Sequence, residues 1–175
     1  MNIVESIRGE YLRYKRLAEA AMAQAPEEQL SATPTAESNS IAVICWHLSG
    51  NLKSRFTDFL TADGEKPWRN RDEEFDSRAV TRAELLAKWE EGWAVLFSAL
   101  DGLSNEDLEG EVIIRGERLP VLDALHRSLA HASYHVGQIV YLAREAAGGA
   151  WTSLTIPRGQ SAAFNQQLMG DSRTK

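Results

Sequence analysis

Four long stretches of this chain repeat apolar residues every three or four positions, a period that leaves little room for any fold but packed helices. The first covers residues 2–24, with Ile3, Ile7, Tyr11, Tyr14, Leu17 and Ala18 on one face and Pro26 just past its end. The second opens among the small polar residues Ser38 to Ser40, whose side chains can cap free backbone N–H groups, and is predicted to run to about Leu60. Its stripe is Ile41, Ile44, Leu48, Leu52, Phe56 and Phe59. Gly50 interrupts that helix at a cost of about 1 kcal/mol relative to alanine, so something is expected to pack close to it. Thr81 and Glu84 have the spacing of a capping box for the third helix, which turns Leu85, Leu86, Trp89, Trp93, Leu96, Phe97 and Leu100 inward and ends at Gly102. The fourth begins near Pro120, in the first-turn position that suits proline, and ends at Gly148-Gly149.

Between these stretches lie two long polar connections, and long loops are often functional. EGEVIIRGERLPV reads as a short hairpin turning at Arg115-Gly116. The tail starts ordered, with Trp151 and Leu154, and its last polar residues are expected to fray. Four long helices with little strand predict an all-α four-helix bundle with long inter-helix loops. The length of 175 residues fits one domain spanning 1–175. Net charge is −6, which argues against nucleic acid as a partner, since the chain has no general pull toward phosphate backbones. No apolar run approaches the roughly 18–20 residues a membrane span needs, and no leader pattern opens the chain. One cysteine, Cys45, cannot form an intrachain disulfide and reads as a small buried hydrophobe, so the expected location is the cytoplasm.

The chemistry is concentrated in histidines. His131 and His135 stand four apart on one face of the fourth helix, the spacing at which two imidazoles can grip one ion. His47 lies mid-way along the second helix. Two ligands from one helix and one from another is how bundles build metal sites in their cores. Taken alone, such a pair is equally consistent with hydrogen-bonded core histidines. Three neutral imidazoles would leave a coordination position for water or substrate, a catalytic geometry. His126 stands about 140° from His131 and about 180° from His135 around the helix, so it is expected to face elsewhere.

The stretches NSIAVICWHLSGNLKSRFTDFLTADGEKPWRNRDEEF (Asn39 to Phe75), HASYHVGQIVYLAR (His131 to Arg144) and SLTIPRGQSAAFN (Ser153 to Asn165) resemble the DinB-like (YfiT-like) superfamily of metal-binding four-helix bundles. In that superfamily one ligand histidine sits in the second helix and two more form H-x-x-x-H in the fourth; the matching positions here are His47, His131 and His135. The resemblance implies up-down-down-up connectivity, a homodimer and one divalent metal ion. Zinc or nickel comes first for the nitrogen ligands, with iron or manganese next. Relatives of this kind include thiol-dependent S-transferases, which use bacillithiol, mycothiol or glutathione, and a maleylpyruvate isomerase.

The function expected from resemblance and residues together is a metal-dependent thiol S-transferase acting on small electrophiles. The alternatives are a metal-dependent hydrolase of a small amide or ester, and a non-catalytic metal-binding, stress-related module. No Asp or Glu lies one turn from a candidate ligand, and Asp58 is about 16 Å along the helix from His47, which tilts the expectation away from the hydrolase. The residues expected to hold substrate or support the ligands are Asn51 and Arg55 on the second helix, Trp68 and Arg71 in the loop after it, Gln138 on the fourth helix and Arg158 in the tail. The same loop also offers Arg69, Asp72, Glu73 and Glu74, although the charged run RNRDEEF reads mostly as solvated, and Trp46, Trp89, Trp93, Tyr134 and Tyr141 read as core.

Overall fold

The computed structural model describes residues 2–171, which form five helices and one small hairpin. The first helix, α1 (Ile3–Gln24), starts where the Asn2 side chain accepts a hydrogen bond from the Glu5 backbone. Ser40 caps α2 (Ile41–Phe56) through the Val43 N–H. The capping box anticipated at Thr81 and Glu84 opens α3 (Arg82–Asp101). After it come strands β1 (Glu111–Ile114) and β2 (Glu117–Pro120), then α4 (Val121–Ala147), which ends as Gly148 swings to a φ of 53°.

Helix α2 packs along α3 and α1 along α4, and the two pairs close on a single core. The core is aromatic at its centre: Trp89, Trp93 and Tyr11 are all at most 1 % exposed. Tyr11 meets the Trp93 ring edge-on at a centroid distance of 6.3 Å, a favoured arrangement for two ring quadrupoles. Its hydroxyl donates to the Leu125 carbonyl at 3.0 Å, which ties α1 to α4 without leaving the buried O–H unpaired. Gly92 lets α3 approach α2 closely, because a Cβ there would stand 2.6 Å from the Ser49 Cα.

Several sequence expectations are corrected. Helix α2 ends at Phe56, short of Leu60, because Asp58 adopts a φ of 51° and begins a turn closed by the Thr61 and Ala62 N–H groups on its carbonyl. Phe59 still reaches the core, stacking at 5.0 Å on Phe56, but from that turn and not from the helix. Leu86 and Ile3, each 40 % exposed, lie off the buried faces assigned to them, and Tyr134 and Tyr141 face outward. The tail forms a further helix, α5 (Ser161–Asp171), where no helix was expected; the frayed end expected beyond it lies outside the described residues.

The hairpin turns at Arg115-Gly116 as expected, with both residues at positive φ (56° and 76°), the requirement of a two-residue type I′ turn. Asp63 clasps this turn: its carboxylate accepts the Arg115 and Gly116 N–H groups at 2.8 and 2.7 Å, while the Gly64 N–H donates to the Ile113 carbonyl. The Gly64 carbonyl in turn accepts from Ser54 and Arg55 on α2. The hairpin is thereby pinned beside α2 and walls one side of a cavity between α2 and α4.

Candidate metal centre

His47 projects from the middle of α2 and is 5 % exposed; His135 on α4 is 8 % exposed, and His131 is partly buried beside them. Their Nε2 atoms converge. His131 Nε2 stands 3.2 Å from both His47 Nε2 and His135 Nε2. Nitrogen ligands about 2.0–2.1 Å from an ion are about 3.4 Å apart in a tetrahedron and about 3.0 Å apart on an octahedral face. Both of these separations fall between those values, and the ligand atoms of all three side chains lie within 4.8 Å of one another, close enough to converge on one divalent ion. All three candidate ligands named from spacing are brought together, and His126 is exposed, as expected.

Hydrogen bonds on the outer nitrogens set two of the tautomers. A Glu74 oxygen lies 2.9 Å from His47 Nδ1, and an ionised carboxylate can only accept, so His47 carries its proton there and turns the Nε2 lone pair inward. Gln138 Oε1 accepts from His135 Nδ1 at 2.8 Å with the same result. His131 Nδ1 is buried with no partner among the described residues. Burial pushes the His131 imidazole down to about 3, with His135, His47, Arg69 and Arg55 adding repulsion. Burial also lowers His135. Both rings are therefore neutral near pH 7, the form in which a histidine can ligate.

Glu74 is the residue that sequence reasoning left in a solvated loop. It sits in a short helical turn, Asp72–Phe75, laid over α2, and is 7 % exposed. Arg69, its side chain 2 % exposed, grips it in bidentate fashion, Nε to Oε1 at 2.8 Å and Nη2 to Oε2 at 2.9 Å. Burial pushes the Glu74 carboxyl up, but the Arg69 and His47 hydrogen bonds outweigh it and hold the group below the usual carboxylate range. Gly50 makes room: a Cβ on it would lie 2.7 Å from Glu74 Cδ and closer still to Oε1. The close packing expected at Gly50 is thus the path by which an acidic side chain reaches His47. Phe75, in the same turn, covers the His47 ring at 4.7 Å and is itself capped by Arg71 at 4.9 Å.

His47 and His131 open onto a cavity of about 450 Å³. Asn51, Arg55 and Arg71 line it, as do Arg69 from the charged loop and two arginines absent from the expected set, Arg115 and Arg127. Gln138 supports His135 from behind. Trp68 does not join the site; it is 54 % exposed and borders a separate groove with Trp46 and Lys88. Arg158 is exposed in the tail and lines no part of the cavity. Arg127 had a legible signal, standing one turn before His131 on the same helical face. Arg69 was offered only as one of several residues of the charged loop, because its place depends on how that loop folds back over α2.

An all-helical bundle with a buried cluster of three histidines is the class that fold and site define. The chain belongs to the family DUF1572, described as a protein of unknown function, whose model matches residues 1–160. No curated protein matches the sequence. Among solved structures it is similar to the "conserved protein of locus from Enterococcus faecalis", with a TM-score of 0.64 and 18% identity over 83% of this chain and 98% of that one. Identity at that level shows a shared fold.

Proposed function

We propose that this protein binds one divalent metal ion through the Nε2 atoms of His47, His131 and His135 and is a metal-dependent thiol S-transferase of the DinB-like kind. The observation that carries the reading is the convergence of three imidazoles, two of which, His47 and His131, line an open cavity. The chemistry an ion supplies at such a site is Lewis acidity, which lowers the pKa of a thiol or water toward neutrality. With an ion held by His47, His131 and His135, a thiol would need no protein base: its proton would pass to solvent, its sulfur would bond to an electrophilic carbon, and the leaving group would depart with the electron pair of the broken bond.

The state of Glu74 favours transfer over hydrolysis. A hydrolase needs a carboxylate free to shuttle protons next to the ion. Glu74 lies behind His47 on the outer nitrogen and has both oxygens engaged by Arg69 and His47. Its role in this reading is to orient His47 and fix its tautomer, as Gln138 does for His135. Zinc or nickel is the first choice of ion, with iron or manganese behind them. A cytoplasmic homodimer completes the proposal, supported by the single buried cysteine and by Tyr134 and Tyr141, 63 % and 70 % exposed on α4.

Metal content of the untagged protein beside His135→Ala tests the site. About one equivalent in the wild type and a large loss in the variant is expected. The loaded protein is then offered glutathione or cysteine with an epoxide or aryl halide. Metal-dependent loss of thiol supports transfer. Ester or amide cleavage without thiol loss would replace it by the hydrolase, and a loaded protein inert in both assays by the non-catalytic module.

A further inference from the structure

The cavity above the histidines is unusually cationic for a protein with a net charge of −6. Arg55, Arg69, Arg71, Arg115 and Arg127 all line it, against one lining carboxylate, Glu117. Some of this charge is neutralised: Glu65 pairs with Arg115 at 2.8 Å and Arg55 at 3.4 Å, and Glu74 pairs with Arg69. Three donors are left over. Arg127 has no carboxylate partner among the described residues, and Arg71 has only Asp72, 4.0 Å away and almost fully exposed. Arg69 commits Nε and Nη2 to Glu74, while its Nη1 is buried with no partner among the described residues.

An unpartnered buried guanidinium N–H is costly, and nearly all such groups in folded proteins find an acceptor. The repulsion is felt within the cavity, where burial, with Arg69 and Arg115, lowers the pKa of Arg55. Positive groups gathered in a partly enclosed, low-dielectric space focus the field and concentrate anions. Arginine's planar fork suits carboxylate and phosphate oxygens.

We propose that the cavity is a subsite for a small organic anion, whose carboxylate or phosphate is held by Arg69, Arg71 and Arg127 while the rest of the molecule extends to the histidine cluster. This deepens the metal-site reading and rests on it for what happens at the far end. The cavity volume of about 450 Å³ suits a metabolite-sized ligand and not a macromolecule.

Calorimetric titration of the full chain at fixed ionic strength tests the subsite, using succinate, inorganic phosphate and the neutral analogue succinamide, with the protein both metal-free and zinc-loaded. At least one anion is expected to bind both forms, and succinamide neither. A preference for succinate assigns a carboxylate head group, and a preference for phosphate assigns a phosphoryl group. Arg127→Gln and Arg71→Gln, both at exposed positions where folding is not at stake, are each expected to weaken that anion about tenfold or more. Arg158→Gln, outside the cavity, leaves it unchanged. Zinc uptake by Arg127→Gln and Arg71→Gln is measured separately and remains at the wild-type level. Anion binding that both variants retain in full, equal binding of succinamide, or no binding to either form would overturn the subsite. Failure of the wild-type protein to take up zinc, with its anion binding intact and lost in the arginine variants, would instead sink the metal reading alone.

Discussion

Replacing Gly50 by alanine probes the link between the Glu74 carboxylate and the histidine cluster. The added Cβ would stand 2.7 Å from Glu74 Cδ, so the carboxylate must retreat by about 1 Å to restore ordinary contact. Its hydrogen bonds now measure 2.8 to 2.9 Å, and a retreat of that size takes them to roughly 3.8 Å, beyond useful range. Leaving the buried His47 Nδ1–H without its acceptor costs about 1–3 kcal/mol. The helix gains about 1 kcal/mol from alanine over glycine. The loss at His47 alone equals or exceeds that gain by about 0–2 kcal/mol, and the broken Arg69 pair adds to it, so the metal-free variant is expected to be less stable than wild type in urea. Metal affinity has no such compensation. Loss of a group that orients a ligand histidine typically weakens binding by about 10- to 100-fold, and competition against a chromophoric chelator reads that range directly. Zinc affinity within about twofold of wild type, together with a metal-free protein about 1 kcal/mol more stable, would refute the coupling and reduce Glu74 to a loop ion pair.

Two further expectations concern the scaffold. Gly92→Ala places a Cβ 2.6 Å from the Ser49 Cα and 3.0 Å from its carbonyl oxygen; because backbone cannot swing aside as a side chain can, α2 and α3 must separate. A loss of about 1–3 kcal/mol in urea denaturation is expected, and a gain in stability would show that the helices do not meet there as described. Cys45 is fully buried against the Met22 sulfur, and burial pushes its thiol well above the ordinary range, so an aromatic disulfide reagent should label it only as fast as the protein unfolds. Rapid labelling under native conditions would contradict the burial of Cys45 against Met22.

Helical periodicity, capping residues and turn chemistry are local properties, and the elements they govern were legible. The capping box at Thr81 and Glu84, the Arg115-Gly116 turn and the end of α4 at Gly148 all stand where residue types put them. The three histidines were legible for the same reason, since a four-residue spacing on one helix is a statement about a face. Leu86 and the end of α2 were not, because an apolar residue at a plausible register is buried only if a neighbour covers it, and the turn at Asp58 suits the core as well as another helical turn would. Gly50 marks the boundary between the two kinds of knowledge. As a glycine inside a helix, it announced a close approach. Which group approaches is decided by a loop more than twenty positions away, folded back over α2, so that Glu74 and Arg69 become buried partners of His47. The sequence by itself determined the four long helices, though not the end of α2 or the tail helix α5, and the ligand spacing. Only the tertiary structure decided the carboxylate behind His47 and the arginines that line the cavity, because those contacts join segments whose separation along the chain carries no period to read.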